Sequence, residues 1–173
     1  AELLGSAKPE ADAEMIDLFR SIVWDVGLRD FTVLVNSLGD SVCRPRYREA
    51  IREYFKKHMD RLCGDCRERL ETNPLRILDC KVPSCGPVIA QAPSVLDSLC
   101  DECAGHFEAV RRALPRLGIQ IEVEPRLVRG LDYYTRTVFE IQVGGLGAQN
   151  AVGGGGRYDQ LVKDFGGPET PAI

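Results

Sequence analysis

The spacing of apolar residues along the chain predicts three amphipathic helices. Apolar side chains recur every three or four residues over 9–26, 47–62 and 94–117, which is the period of a helix with one buried face. Between and after these segments, β-branched and aromatic residues follow one another or alternate with polar ones, as is typical of strands. The predicted strands are 31–36, 119–124 and 137–143. With 173 residues, of which 44% are hydrophobic, the chain is long enough for a packed core of mixed α and β structure.

The last predicted strand has one apolar and one polar face. Phe139 and Ile141 share the first face with Val143. If the strand extends back to Tyr134, then Tyr134 and Arg136 share the second face with Val138, Glu140 and Gln142. Tyrosines and arginines need hydrogen-bond partners once neighbours cover them. Either a polar ligand lies above this face, or the face is simply solvated.

Four consecutive glycines, residues 153–156, follow this strand. Glycine costs backbone entropy and adds no packing, so such a run suits a turn with positive φ or a backbone that closely approaches a ligand. A flexible linker is disfavoured, because a strand precedes the glycines and the apolar stripe of a short helix, with Leu161, Val162 and Phe165, follows them. A phosphate loop of the Walker type is excluded, because neither Lys-Ser nor Lys-Thr follows the glycines.

Two motifs around these segments carry a family resemblance. The motifs are Arg129-Gly130-Leu131-Asp132-Tyr133-Tyr134-Thr135 and Gly155-Gly156-Arg157-Tyr158-Asp159. They resemble the two histidine-specific motifs of the histidyl-tRNA synthetases, which are class II aminoacyl-tRNA synthetases. Residues 2–5 and 9–14 resemble the segment after motif 2 of that family, and residues 72–79 resemble its insertion domain.

The resemblance implies an α+β fold with three parts. A mixed or antiparallel class II sheet with flanking helices would be formed by residues 1–40 and 121–173, and a mostly helical insertion domain by residues 41–120. Nothing in the chain resembles motif 1, the motif 2 arginine loop or motif 3. We therefore expect an interior piece of a longer enzyme, which by itself neither activates histidine nor forms the homodimer of the intact enzyme.

The family's reaction assigns roles to particular side chains. Histidine reacts with ATP, in the presence of Mg²⁺, to give histidyl-adenylate, and histidine then passes to tRNA(His). Arg129 matches the catalytic arginine, whose fixed guanidinium would stabilise negative charge on the α-phosphate. Tyr134 and Glu2 match the residues that flank the imidazole, whose recognition needs a donor and an acceptor at opposite nitrogens. The resemblance further implies that Tyr133 and Tyr158 form walls of the histidine pocket and that Gly154, Gly155 and Gly156 let the backbone approach the substrate.

Charge is unevenly distributed along the chain. Residues 43–90 contain eleven Lys or Arg against seven Asp or Glu, although the whole chain has a net charge of -4. Within this segment, 63–93 has several prolines and little periodicity, so an irregular inserted module is expected there. A basic module suits binding to a phosphate backbone, but a solvated helix face with interleaved charges explains the excess equally well. The resemblance implies that the insertion domain contacts the tRNA acceptor stem.

The seven cysteines are an odd number in a chain of ordinary core size. This favours reduced thiols or a metal site in the cytosol over a secreted disulfide framework. Two CxxC pairs are present, and the first lies in the basic module with two further cysteines. These four cysteines could therefore bind one tetrahedral zinc ion, although the family resemblance does not support such a site. The candidate zinc ligands are Cys63, Cys66, Cys80 and Cys85.

The remaining cysteines and both histidines have packing interpretations. Cys100 and Cys103 could complete or compete for the zinc site, or they could pack in the third helix as small apolar residues. Cys43 is interpreted as a packing residue. His58 and His106 are expected to be surface or packing residues and not general bases, because neither has an acid partner in a readable motif.

Two other functions remain open. One is the regulatory relative of the synthetase in histidine biosynthesis, which binds a ligand without charging tRNA, although the basic insert argues against it. The other is a free-standing module that binds zinc and RNA. No apolar run is long enough for a membrane span, and residues 1–5 do not resemble a signal peptide, so a cytoplasmic protein is expected.

Overall fold

Four strands form one mixed sheet in the computed structural model, which describes residues 1–144 and 150–173. The strands are β1 (Phe31–Ser37), β2 (Ile121–Val123), β3 (Thr135–Val143) and β4 (Ala151–Arg157), in the spatial order β2-β1-β3-β4. β1 pairs in parallel with β2 and antiparallel with β3, and β4 pairs antiparallel with β3. The predicted mixed α and β fold is thus confirmed. β2 is shorter than the predicted strand 119–124.

Two long helices cover one face of the sheet. These are α1 (Pro9–Asp25) and α5 (Asp101–Arg116), which pack against each other and against β3. The shared core consists mainly of aliphatic side chains from all these elements, including Ile16, Val23, Val35, Val110, Leu114 and Ile141. The predicted stripe of α1 is only partly buried. Ile22 and Val26 are 47% and 71% exposed, because the helix turns this flank away from the core.

A small helical unit, residues 44–98, lies between β1 and α5. It contains α2 (Arg44–Lys56), α3 (Gly64–Thr72), α4 (Gly86–Ala90) and the 3-10 helices Met59–Arg61, Pro74–Ile77 and Val95–Ser98. Its own apolar core joins α2 to the following segments. The expectation of an irregular stretch from 63 to 93 was wrong. α3 was missed because it buries only Cys66 and Leu70, which are too few residues to show a period.

The third predicted helix begins later than its apolar period suggested. Ser94 accepts a hydrogen bond from the Leu96 amide and caps a 3-10 turn, and Leu99 and Cys100 are then extended. α5 therefore starts at Asp101, with Cys100 at the N-cap position. The prediction that Cys100 packs within a helical stripe was wrong for this reason.

A backbone irregularity interrupts β3 near its start. Arg136 has a φ of 48°, and the pairing with β4 shifts between Thr135 and Val138. The simple alternation that would place Arg136 beside Tyr134 on one strand face is broken there. The Arg136 guanidinium lies instead 3.7 Å from Asp40 and bonds Glu102.

A buried cluster of charged and polar side chains joins α1, α5 and β4. Asp12 accepts hydrogen bonds from Arg157 Nε at 2.9 Å and Nη2 at 2.7 Å, and its second oxygen lies 2.7 Å from His106 Nε2. The Arg157 side chain is fully buried and also bonds Asp159. His106 is a satisfied packing residue as predicted, and its acid partner, Asp12, is 94 positions away and so belongs to no readable sequence motif.

Among residues 1–144 and 150–173, no helix combines the length and apolar character that a bilayer crossing requires.

The substitution Asp12→Asn is expected to lower the free energy of unfolding by about 3 kcal/mol, because it leaves the buried Arg157 guanidinium without its carboxylate. Urea denaturation measures the change. Burial raises the pKa of Asp12, but hydrogen bonds from His106 and Arg157 lower it below 3.8. The ionised carboxylate therefore stabilises the fold above that value, and the effect of the substitution should shrink as pH falls below the lowered pKa.

Asp17→Asn on the same helix is the matched control. Asp17 and its partner Arg20 have side chains that are 35% and 29% exposed, so this change should cost less than about 1 kcal/mol. Equal losses for the two variants would contradict the importance of the buried pair.

Candidate functional site

A cavity of about 390 Å³ opens between α1 and strands β3 and β4. Its polar side carries Glu2 and three tyrosines, and its floor is the glycine backbone of β4. Seven of the eight predicted site residues line this one cavity. They are Glu2, Tyr133, Tyr134, Gly154, Gly155, Gly156 and Tyr158.

The glycines of β4 form a strand and not the expected turn. None of residues 153–156 has a positive φ. A Cβ on Gly155 would lie 3.0 Å from the Phe139 ring, and one on Gly156 would lie 2.7 Å from Val138 Cγ1 and 3.0 Å from Tyr134 Cδ1. The expectation that the glycines add no packing was therefore wrong, because neighbouring side chains lie directly on the strand backbone. Gly154, Gly155 and Gly156 line the cavity floor, and the close approach of their backbone to a ligand stays a prediction.

Glu2 and the tyrosines form a connected polar rim. Tyr158 donates its hydroxyl hydrogen to Glu2 Oε1 at 2.7 Å. The ring centroid of Tyr133 lies 4.7 Å from that of Tyr134 and 6.0 Å from that of Tyr158. Burial, together with the Glu2 carboxylate, raises the pKa of Tyr158 well above its ordinary value. The rim therefore offers neutral phenols beside one carboxylate, which can bind a ligand with both donor and acceptor atoms.

Arg129 lies beside the cavity and does not line it. Its Nη1 donates to Glu140 Oε2 at 2.7 Å, and the guanidinium faces a neighbouring groove with Arg126 and Gln142. A Cβ on Gly154 would lie 3.1 Å from the same Nη1. Gly154 thus borders both the cavity and the guanidinium, and Arg129 lies on the same face of β4 as Tyr134, which approaches Gly156.

Tyr134 connects the two regions electrostatically. Burial raises its pKa and the neighbouring Tyr133 raises it further, while Arg129 lowers it in part. The guanidinium and this phenol are therefore close neighbours. Tyr134 lines the cavity, and Arg129 lines the groove that adjoins it.

Side chains from two other segments hold the loop that carries these residues. Asn36 of β1 donates to the carbonyl oxygens of Pro125 and Leu127 at 3.1 and 3.0 Å. Arg44, at the start of α2, donates to the carbonyl oxygens of Tyr134 at 3.0 Å and Asp132 at 3.3 Å. Sequence reasoning missed both residues, because their partners are backbone atoms about ninety positions away.

Apolar side chains form the remaining wall. Phe19 and Phe139 pack with ring centroids 6.1 Å apart, and both line the cavity. Met15, Leu18, Ile22 and Ile173 complete this wall. The sequence signal that indicates this wall is the apolar stripe of α1. Part of the stripe packs in the core, and the rest lines the cavity.

The four predicted zinc ligands lie together in the helical unit. Their sulfur atoms are all within 4.8 Å of one another, and Cys63 Sγ lies 3.8 Å from Cys80 Sγ. The Cys66 amide lowers the pKa of the Cys63 thiol, whereas burial raises the pKa values of the Cys66 and Cys80 thiols. Cys66 and Cys85 are buried, while Cys63 and Cys80 are partly exposed.

The chain matches a known protein family over its whole length. The family is described as "Histidyl-tRNA synthetase", and the match covers residues 1–173. The histidine-tRNA ligase of Desulfatibacillum aliphaticivorans is 53% identical over 173 residues, which are 100% of this chain and 41% of that protein. The histidine-tRNA ligase of Koribacter versatilis is 52% identical over 169 residues, which are 98% of this chain and 38% of that protein. The chain thus spans about two fifths of the length of these relatives.

Solved structures share the fold. The structure of apo S. aureus histidyl-tRNA synthetase matches with a TM-score of 0.74 and 35% identity over 99% of this chain and 42% of that one. A structure described as an ATP phosphoribosyltransferase regulatory subunit/histidyl-tRNA synthetase from Bacillus halodurans matches with a TM-score of 0.60 and 22% identity, over 99% of this chain and 48% of that one. The second likeness shows the fold alone.

The substitution Gly156→Ala is expected to lower the free energy of unfolding by about 1–3 kcal/mol, because the new methyl group would overlap Val138 and Tyr134. Chemical denaturation measures this change. The control is Gly105→Ala in α5, where no atom lies within 4 Å of the added Cβ. That change should stabilise the protein by up to about 1 kcal/mol through helix propensity. If both variants were stabilised alike, close packing on β4 would not be the reason for its glycines.

Proposed function

Because the chain belongs to the histidyl-tRNA synthetase family, we propose that the complete protein containing it activates histidine with ATP and transfers it to tRNA(His). The observation that supports this most directly is the cavity in which Glu2, Tyr133, Tyr134 and Tyr158 surround a glycine floor. A cavity of about 390 Å³ is of the size that small-molecule sites have. The class of ligand follows from its polar rim.

The rim suits the imidazole of histidine. A neutral imidazole carries one N–H donor and one acceptor nitrogen. The Glu2 carboxylate accepts the first, and a tyrosine hydroxyl donates to the second. A ligand without an acceptor at this place would leave a half-buried phenol unpaired, which is costly. The apolar wall with Phe19 and Phe139 would hold the ring edge.

Arg129 is proposed to act on the reacting phosphate. Attack of the histidine carboxylate on the α-phosphate of ATP increases negative charge on the phosphate oxygens, and a fixed guanidinium stabilises that charge without a proton transfer. The ion pair with Glu140 holds Arg129 in one orientation beside Gly154. Histidine in the cavity would then present its carboxylate towards the adjoining groove, where ATP with Mg²⁺ would bind.

The helical unit is proposed to contact the acceptor stem of the tRNA. Most of its basic side chains are exposed, including Arg46, Arg48, Lys56, Lys57 and Arg61. Exposed cations on one module supply the counterion release that drives binding to a phosphate backbone. We propose that this insertion domain ends near Cys100 and not at residue 120, since α5 packs on α1 in the core that also contains the sheet.

The regulatory role in histidine biosynthesis is the less supported alternative. The relatives at about half identity are named histidine-tRNA ligases, whereas the likeness to the regulatory subunit is one of fold. A homodimer and a cytoplasmic location are proposed for the complete protein. The seven free cysteines suit a reducing compartment.

Glu2→Gln in the complete protein is expected to lower kcat/KM for histidine by about 10- to 100-fold, mainly through a higher KM, because the amide oxygen still accepts the imidazole N–H but lacks the charge that strengthens this bond. Arg129→Lys is expected to lower kcat by on the order of 100-fold with little change in KM, because it removes a charge contact made at the transition state. Histidine-dependent pyrophosphate exchange measures both. Glu10→Gln, an exposed change on α1, is the control. An unchanged KM in Glu2→Gln would contradict the proposed pocket.

The double substitution Arg46→Ala with Lys57→Ala is expected to weaken tRNA binding and to reduce its salt dependence. These exposed residues are eleven positions apart and so lie on one face of α2 and its C-cap. Each lost phosphate contact should lower the slope of log affinity against log salt by about 0.9. Filter binding across a salt series measures it. Lys163→Ala on α6 (Leu161–Asp164) is the control, and an equal effect there would contradict a specific role for the helical unit.

A further inference from the structure

All seven cysteines of the chain fall into two clusters of potential metal ligands. The first is the set predicted from the sequence, Cys63, Cys66, Cys80 and Cys85. The second cluster joins Asp40 to Cys43, Cys100 and Cys103, and its four ligand atoms also lie within 4.8 Å of one another. Cys43 is buried, in keeping with its interpretation as a packing residue, but it lies beside Cys100 and Cys103. The odd number of cysteines is explained, because a carboxylate takes the fourth position of the second cluster.

The two clusters share one local design. In each, a CxxC pair opens a helix, with its first cysteine at the N-cap and its second in the first turn. The other two ligands of each cluster are close to each other in sequence, and the second of them is a cysteine at the N-cap of another helix. The N-cap cysteines are Cys63 of α3, Cys85 of α4, Cys43 of α2 and Cys100 of α5. Two sequence-distant pairs thus converge in the same way at two places.

The distances suit a single tetrahedral ion in each cluster. With zinc-sulfur bonds of about 2.3 Å, the sulfur atoms of a tetrahedral site lie about 3.8 Å apart. Cys63 Sγ and Cys80 Sγ are 3.8 Å apart. In the second cluster, Asp40 Oδ1 lies 3.3 Å from Cys43 Sγ, close to the roughly 3.6 Å that a carboxylate oxygen and a thiolate would have around zinc.

Backbone amides already bond several of these sulfurs. Cys63 N donates to Cys85 Sγ at 3.2 Å, and Asp40 N donates to Cys43 Sγ at 3.3 Å. Such bonds orient thiolates that bind a metal. At the second cluster, Arg136 Nη2 lies 3.7 Å from Asp40 Oδ2, where its charge would offset part of the negative charge of the ligands around a bound metal.

A glycine leaves room for the second cluster. Gly39 has a φ of +66°, and a Cβ there would lie 2.5 Å from Cys43 Sγ. This residue directly precedes Asp40, so any side chain would displace the sulfur from the other three ligands. Both clusters combine two buried and two partly exposed ligands, so each is enclosed on one side and accessible on the other.

We propose that the chain binds two zinc ions, one at Cys63, Cys66, Cys80 and Cys85 within the helical unit, and a second at Asp40, Cys43, Cys100 and Cys103. Sulfur-rich tetrahedral ligands favour zinc over hard cations such as magnesium. All four positions are filled by the protein, which is the arrangement of a structural site and not of a catalytic one. Each thiol releases its proton on binding.

The second ion would join the helical unit to the sheet. Asp40 and Cys43 lie where the chain leaves β1 for α2, and Cys100 and Cys103 lie where it returns through α5. The ion would therefore link the two chain segments that connect the helical unit to β1 and to α5. Arg44, the residue after Cys43, bonds the carbonyl oxygens of Tyr134 and Asp132. Metal binding at the crossings would hold these loop contacts in place.

Elemental analysis of the complete protein tests the two sites. The protein is produced with zinc in the medium and purified under reducing conditions without a chelator, and zinc and iron are counted per chain. The pair Cys63→Ser with Cys66→Ser should remove one zinc, and the pair Cys100→Ser with Cys103→Ser should remove another. The matched controls, Ser84→Ala beside Cys85 and Asp101→Asn beside Cys100, should remove none.

A substitution that adds a metal ligand distinguishes an effect on metal binding from an effect on folding. In the Cys63→Ser, Cys66→Ser background, Asp40→Cys should keep the second zinc. With Co²⁺ in place of zinc, its sulfur-to-metal absorption should rise as three thiolates become four. Asp40→Ala should weaken zinc retention against a competing chelator. The second site is overturned if Asp40→Cys neither keeps the metal nor strengthens this absorption.

Titration of the free thiols distinguishes metal binding from disulfide bonds. Without added reductant, the denatured protein should show every cysteine of this chain as a free thiol, and in the native protein the thiols should react faster after chelation. Missing thiols would mean disulfides in place of metal and would overturn the proposal. An unchanged reaction rate after chelation would overturn it too. None of these measurements depends on aminoacylation, so their failure would leave the proposed function untouched.

Discussion

The buried ion pair between Asp12 and Arg157 is the interaction on which the arrangement of the cavity depends. Both side chains are fully excluded from solvent, where an uncompensated charge is very unfavourable. Asp12 lies on α1, which supplies the apolar wall of the cavity, and Arg157 ends the glycine strand that forms its floor. His106 extends the same cluster to α5. The wall, the floor and the supporting helix must therefore meet in one geometry for the charges to be satisfied.

Much of the site was predictable, because the motifs around Arg129 and Tyr158 are short and specific. The alternation of β3 and the period of α1 also identified the main elements of the core. Glu2 and the three tyrosines converge on one cavity as the resemblance implied. Arg129 lies beside that cavity, in the adjoining groove, an offset that no one-dimensional pattern can show.

What could not be predicted depends on contacts between distant residues. The glycines of β4 looked unsuited to packing because the rings of Phe139 and Tyr134, which lie against them in the structure, are distant from them in sequence. The start of α5 was misplaced because the apolar period continues through a 3-10 turn and an extended N-cap. Arg136 adopts a φ of 48°, which residue type alone does not suggest. The second cysteine cluster required two chain crossings to be brought together.

Asp12 and Arg157 are 145 positions apart, and this separation has a consequence for biosynthesis. At translation speeds of about 5–20 residues per second, α1 waits on the order of 7–30 s for its partner to leave the ribosome. The helical unit, whose apolar core is built from nearby segments, emerges complete during that interval. The helical unit can therefore assemble before α1 meets β4, and the cavity between these two elements closes only afterwards.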